Sequence, residues 1–253
     1  MKKAIIIGAT SGIGRGVAEA LIEQGWQVAI TGRRIAALEQ IQTKYGAERV
    51  LIAQMDVRSP ESSAILARLL NQLGTPDLFL YSAGIGWQNR DLVPETELSM
   101  VATNCEGMVR LVDEIFNHVK QEARAGRLTP KQRVHIAVIT SVAGTTGMGS
   151  APAYSATKKM QSTYISALCQ LARMEHVPVR FSDIRPGFVA TEILNPNKHY
   201  PMTMSCEKAV GHILRGLSRH RRVIIFDWRF KLLVLFWKLI PRPIWERITF
   251  IKN

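Results

Sequence analysis

Tyr154-Ser155-Ala156-Thr157-Lys158 sets a phenol and an ammonium four residues apart. On a helix such residues share one face, so the two side chains project into the same space. A phenol ordinarily has a pKa of ~10. To trade protons near neutrality that value must fall toward about 7, roughly 4 kcal/mol of differential stabilisation. A neighbouring ammonium acts in this direction by favouring the phenolate. The pair therefore predicts an acid–base centre, with Tyr154 exchanging the proton and Lys158 tuning it. Ser141, closing the apolar run Ile139-Thr140-Ser141, adds a hydroxyl at a strand end that can orient an oxygen. Tyr-x-x-x-Lys recurs by chance in many sequences; its weight here comes from what accompanies it.

Near the start stands Gly8-Ala9-Thr10-Ser11-Gly12-Ile13-Gly14, between an apolar run and a helical pattern. Glycines admit positive φ and let backbone approach a ligand. The helix that follows offers free N–H groups and the positive end of its dipole to a pyrophosphate. Gly8, Thr10, Ser11, Gly12, Ile13 and Gly14 are thus candidate phosphate-binding positions. The second apolar run ends in Thr31-Gly32-Arg33-Arg34, without a carboxylate. An acidic residue there accepts the ribose 2′-OH of NAD, whereas a cation takes the 2′-phosphate of NADP. Arg33 can bind phosphate with two hydrogen bonds and stack beside adenine; whether Arg33 or Arg34 faces the phosphate stays open. The expected cofactor is NADP(H), and the expected chemistry is reversible hydride transfer between a nicotinamide and a carbonyl or alcohol. An NAD-dependent alcohol dehydrogenase is the alternative. A non-catalytic NADP(H)-binding regulator is a third reading, which the intact Tyr154 and Lys158 disfavour.

The elements that must position these residues alternate along the chain. Apolar runs at 4–7, 27–31, 50–55, 78–82, 134–141, 179–184 and 223–226 read as strands. Helical patterns occupy 17–24, 36–45, 60–73, 97–125, 153–175 and 206–219. Such βα repetition implies an α/β fold, a doubly wound parallel sheet of about seven strands with helices on both faces. Residues 1–226 read as one dinucleotide-binding and catalytic domain. Ligands of such sheets sit at the carboxyl ends of strands, where both Ser141 and the glycine turn fall.

With these residues in place, the sequence resembles the short-chain dehydrogenase/reductase family, in its compact Rossmann-like branch, from residue 1 to about 226. Gly8–Gly14, Asp56-Val57, Ala83-Gly84, Asn104, Ser141, Tyr154, Lys158 and Pro186-Gly187 occur in the family's order and spacing. The resemblance implies that Tyr154 is the general acid in reduction and the base in oxidation. It implies that Lys158 also holds the nicotinamide ribose, that Ser141 orients the carbonyl, and that Asn104 holds a water linking Lys158 to solvent. Asp56 would hydrogen-bond the adenine amino group, with Val57 lining that pocket. Ala83-Gly84 would let backbone approach the adenine-side ribose, and Ile184, Pro186, Gly187, Val189 and Thr191 would border the nicotinamide. One departure is plain: Tyr81-Ser82 stands where the family carries Asn-Asn. The resemblance further implies a homodimer or homotetramer through helices 97–125 and 153–175.

The remaining sequence narrows the setting. The chain has 253 residues and a formal net charge of +13, which favours anionic ligands. No nucleic-acid-binding motif stands out, so no nucleic-acid partner is expected. Cys105, Cys169 and Cys206 show no metal-ligand spacing, so no metal is expected; they read as reduced thiols of a cytoplasmic protein. The apolar run after Lys2-Lys3 is too short for a secretory signal and reads as a first strand. Residues 192–205, with Asn195, Pro196, His199, Tyr200, Pro201 and Met202, correspond to a substrate-covering loop. Gly147-Met148-Gly149 and Gly86-Trp87 are further candidates for the pocket wall. Residues 227–253 form an apolar and basic tail whose run of about 11 apolar-rich residues falls short of the ~20 needed to span a bilayer. Three readings stay open for it: peripheral membrane contact through 229–252, packing on the domain or an oligomer interface, and a membrane span.

Overall fold

The computed structural model describes residues 1–129, 131–194 and 200–249. Its strands are β1 (Lys3–Ile7), β2 (Gln27–Gly32), β3 (Val50–Gln54), β4 (Leu78–Tyr81), β5 (Val134–Ile139), β6 (Val179–Pro186) and β7 (Val223–Phe226). Among the described residues they form one seven-stranded sheet in the order β3-β2-β1-β4-β5-β6-β7, and every pairing is parallel. The helices are α1 (Gly12–Glu23), α2 (Ile35–Tyr45), α3 (Ser62–Leu73), α4 (Pro94–Val101), α5 (Gly107–Arg124), α6 (Pro152–Met174), α7 (Cys206–Ser218), α8 (Trp228–Leu239) and α9 (Arg242–Trp245).

Alternation along the strands divides the apolar side chains between two layers. Ile5 and Ile7 of β1 point into a core shared with Leu66 of α3, Met108 and Leu111 of α5 and Ile165 of α6. Ala4 and Ile6 point the other way, into a core with Val17 of α1, Leu38 of α2 and Ile213 of α7. This is the doubly wound arrangement expected. The winding reverses between β1 and β4, so the carboxyl ends of these two strands open a crevice. The turn after β1 lies tight against the segment after β4. Gly8 has φ +86°, and a Cβ there would stand 2.6 Å from the Ala83 amide nitrogen.

The structure departs from the sequence expectation in four places. Helix α1 begins at Gly12 rather than 17, directly out of the glycine turn; its three early glycines hide the apolar period. The single helix expected over 97–125 is α4, a π-helical turn at Ala102–Glu106, and α5. Strand β5 ends at Ile139, and Ser141 instead caps a short 3-10 turn (Val142–Thr145) by accepting from the Ala143 amide at 3.1 Å.

The tail supplies the fourth difference, being helical where no element was assigned. One face of α8 packs on the domain, with Phe230 and Val234 buried against Val142 and flanked by Phe188, Met202 and Ile225. The Trp245 indole donates to the Gly147 carbonyl at 2.7 Å. Among the described residues no helix is long and apolar enough to cross a membrane. Asn195, Pro196 and His199 lie outside the described residues, whereas Tyr200 packs on Phe188 with ring centroids 4.9 Å apart.

Candidate active site

Tyr154 sits in the first turn of α6. That turn is held from α4, because Glu97 accepts the Ala153 amide at 2.8 Å with one carboxylate oxygen and the Asn89 side chain at 2.9 Å with the other. The half-buried ring lies on Gly86, where a Cβ would come within 2.5 Å of the phenol Cε2. One helical turn on, Lys158 is buried, its Nζ 5.8 Å from the Tyr154 ring centroid and donating to the Ile139 carbonyl at 3.0 Å. The 3-10 turn comes down on the same helix: a Cβ on Gly144 would stand 2.7 Å from the Lys158 carbonyl carbon. This contact brings the buried Ser141 close enough to the phenol for its hydroxyl to bear on the phenol's acidity. The structure thus brings Ser141, Tyr154 and Lys158 together at the carboxyl end of β5.

The electrostatics correct one expectation. Lys158 was expected to pull the phenol down, but in the protein alone burial dominates and pushes Tyr154 above its ordinary value, while the nearby Ser141 hydroxyl pulls it down. Burial also depresses Lys158, from an ordinary 10.5 to about 8, opposed by the more distant Cys105 and Asp183. The physical reason is shared: neither group keeps water enough to carry charge freely.

Asn104 lies in the π-helical turn, fully buried. Its side-chain oxygen accepts the Ile85 amide at 3.0 Å, and its amide donates to the Ile85 carbonyl at 2.8 Å and to Thr157 Oγ1 at 3.1 Å. Its own carbonyl accepts from Gln161 Nε2 at 2.7 Å. Asn104 therefore locks the segment after β4 onto α6, and Gly84 lies beside it, a Cβ there being 3.4 Å from Lys158 Nζ. The Tyr81-Ser82 departure has a structural account. Tyr81 is buried and its hydroxyl donates to the Thr103 carbonyl at 2.9 Å, tying β4 to the π-helical turn. Ser82 fits under the glycine turn, 3.0 Å from where a Gly14 Cβ would stand.

The other candidate cofactor residues fall at or just after the carboxyl ends of β1, β2, β3, β4 and β6. Gly12 has φ +56°, and a Cβ on Gly14 would run into the Gly8 carbonyl. Ser11 makes no side-chain capping bond to α1 and no acidic residue occupies that first turn, so among the described residues its N–H groups remain for an anion. Ile13 follows at the edge of the α1 core. Arg33 is exposed, and its guanidinium makes no hydrogen bond among the described residues. Arg34 instead pairs with Glu192 at 3.0 Å and donates to Thr10 at 3.3 Å. Asp56 accepts the Arg58 amide at 3.0 Å and pairs with its guanidinium at 2.6 Å, which holds its carboxyl below the usual range. Val57 is buried, with its carbonyl against Gly107.

On the other side Ile184, Pro186 and Val189 are buried where β6 ends. Gly187 admits the Phe230 ring of α8, which a Cβ would strike. The Thr191 methyl lies 3.2 Å from a Gly12 Cβ, closing the crevice from above. Among the described residues no group of His, Cys, Asp and Glu side chains is disposed to hold a metal.

Sequence reasoning missed Gln161, Thr157, Glu97 and Glu192. Gln161 had a signal, since it shares the helical face of Tyr154 and Lys158 at i+7 and i+3. The others act through contacts distant in sequence, for which one chain offers no period to read.

Comparison with known proteins places this fold in a family. Residues 2–200 match the model of the family described as short chain dehydrogenase. An uncharacterized oxidoreductase of Myxococcus xanthus is 27% identical over 251 residues, covering 97% of this chain and 95% of its own. The NADP-dependent 3-hydroxy acid dehydrogenase YdfG of Salmonella typhi is 28% identical over 190 residues, covering 73% of this chain and 71% of its own. A short-chain dehydrogenase of Streptomyces avermitilis superposes with a TM-score of 0.79 at 19% identity, covering 94% of this chain and 92% of that one. With a parallel sheet wound in this order and a match over most of its length, the chain belongs to the short-chain dehydrogenase family of oxidoreductases.

Proposed function

We propose that the protein is an NADP(H)-dependent reductase of carbonyl groups, working reversibly on the corresponding alcohols, with Tyr154 as the proton-exchanging residue. The observation that carries this reading is the meeting of Ser141, Tyr154 and Lys158 beside the crevice that the glycine turn lines. That crevice fits a dinucleotide: its floor is backbone that no Cβ could enter, and the N-terminus of α1 is open to a phosphate. The glycine turn would hold the pyrophosphate, Arg33 the 2′-phosphate, and Lys158 the nicotinamide ribose. A bound nicotinamide supplies or accepts the hydride.

The chain's own groups handle the proton. A phenol raised by burial stays protonated at neutral pH, as a donor to a developing alkoxide must. Ser141, beside that phenol, would offer its hydroxyl to the same substrate oxygen and fix it within reach. Oxidation of an alcohol needs the phenolate, which the Lys158 ammonium favours when it is charged. Asn104 and Gln161 keep α6 and the segment after β4 in register, so that Lys158 stays under Tyr154.

The choice of NADP(H) rests on Arg33, which follows β2 with no carboxylate beside it in sequence and whose exposed guanidinium makes no hydrogen bond among the described residues. The NADP-dependent relative of Salmonella typhi supports it. Titrating the protein with NADPH and with NADH tests the choice. A charge-assisted bond to phosphate contributes about 1.5–3 kcal/mol, so NADPH should bind roughly 10- to 100-fold more tightly, and Arg33→Asp should remove the difference. Equal affinities in the unmodified protein would reject NADP(H) selectivity.

A further inference from the structure

We propose that the outward face of α8, continued by α9, is a docking surface for an anionic lipid bilayer. The match to the dehydrogenase family ends at residue 200, so this surface lies beyond it. Helix α8 is apolar around most of its circumference yet uses only one side for packing. At about 100° per residue, the buried Phe230 and Val234 fall on the inward side. Trp228, Leu232, Leu235 and Leu239 fall on the opposite side, with Phe236 at their edge. These side chains are open to solvent: Trp228 is 68%, Phe236 61% and Leu239 70% exposed. In α9 Ile244 is exposed as well. Monomeric soluble proteins rarely leave so many large apolar groups contiguous without a partner.

The charges choose the partner. On the same wheel Lys231 and Lys238 border the apolar stripe on one side and Arg229 on the other. Arg229 is paired with Asp227, and Arg242 with Glu246. Lys231, Lys238 and Arg247 have no ion pair among the described residues. An apolar stripe edged by cations matches a helix lying in a bilayer interface, with its apolar side among acyl chains and its cations at anionic headgroups. A second copy of the chain fits less well. A two-fold contact sets a face against itself, which would bring these lysines together on a chain already at +13. Spanning is not required, since α8 is only ~18 Å long.

The surface is also joined to the active site. Phe230 packs on Gly187, Val142 follows Ser141, and Trp245 holds the Gly147 carbonyl. Docking would therefore set the bilayer beside the elements that shape the site.

Flotation of the full chain with vesicles tests the proposal without needing turnover. Vesicles of phosphatidylcholine with phosphatidylglycerol should carry the protein at least ~10-fold better than phosphatidylcholine alone, with the advantage lost in 1 M salt, where the Debye length is about 3 Å. The double substitution Leu235→Glu with Phe236→Glu, at two exposed positions, should abolish flotation while leaving the circular dichroism spectrum and melting temperature unchanged. Failure to float, equal flotation on neutral vesicles, or unimpaired flotation of the double variant would overturn it. So would sedimentation velocity showing a dimer that the same substitutions dissolve, since a second copy would then occupy the face.

Discussion

At the scale of single residues, the juxtaposition of Tyr154 and Lys158 was legible because its logic is local. Four residues of helix place Tyr154 and Lys158 on one face wherever that helix sits. What the sequence could not carry was the sign of the shift, because burial is a property of everything packed around the pair. Lys158 has its pKa depressed to about 8, so between about 8 and 10.5 the unfolded lysine holds a proton that the folded one has released. The stability contributed by this group therefore rises with pH through that window, and it is constant below it. Activity should respond in the opposite sense, because the ammonium is the form that supports the phenolate. The pH profile of kcat/KM for alcohol oxidation should accordingly lose its rise above about pH 8. Lys158→Arg, whose guanidinium stays charged, should extend that rise to higher pH. A wild-type profile that climbs unbroken to pH 10.5 would contradict this role for Lys158. Arg33 and Arg34 show the same limit of local reading. Equivalent in spacing, they are separated only by Glu192, which engages Arg34 from 158 residues away.

Among the elements, strands and most helices were readable from period and length, and their boundaries fall close to expectation. The π-helical turn at Ala102–Glu106 was not. Its residues are compatible with an ordinary helix, and the bulge exists because of what packs there. Gly107 brings the turn against Val57, and the Tyr81 hydroxyl binds the Thr103 carbonyl. Such turns recur at functional sites, and this one carries Asn104. Tyr81→Phe removes a buried hydrogen bond, a loss of about 0.5–1.5 kcal/mol. For a chain of this size each kcal/mol lowers Tm by roughly 2–4 °C. Thermal unfolding should show that drop, with turnover reduced because the Asn104 lock loosens; an unchanged Tm would show that Tyr81 does not hold the turn. The clasp from Arg34 to Glu192 makes a second prediction at this scale. Both side chains are exposed, so their pairing adds little stability, but Glu192 engages the same Arg34 nitrogen that donates to Thr10 of the glycine turn. Its carboxylate thus stands beside the glycine turn, near enough to repel an incoming phosphate and to occupy Arg34. Glu192→Gln should leave Tm within about 1 °C and tighten binding of 2′,5′-ADP in a fluorescence titration; weaker binding would mean that Glu192 assists the ligand instead.

For the whole molecule, the sheet order is what turns separate motifs into a site. Reversal of winding between β1 and β4 opens the crevice, and the glycine turn, Ala83-Gly84 and Ser141 all follow strands that end there. The tail lay beyond any such rule, because an apolar run with basic residues can pack on protein or on lipid. Its described part holds α8 and α9, with one side of α8 on the domain and the other exposed. On the proposed function, this assembly lets one phenol exchange a proton beside a dinucleotide. NADPH consumption over a panel of sugars, steroids, acyl thioesters and lipid-linked ketones, run in parallel for the unmodified protein and Tyr154→Phe, tests it most directly. The unmodified protein should turn over at least one carbonyl. Tyr154→Phe should bind NADPH with undiminished affinity and lose about 10²- to 10⁴-fold in kcat, the share that acid–base catalysis contributes. A Tyr154→Phe protein that reduces the same carbonyl at the unmodified rate would contradict the account.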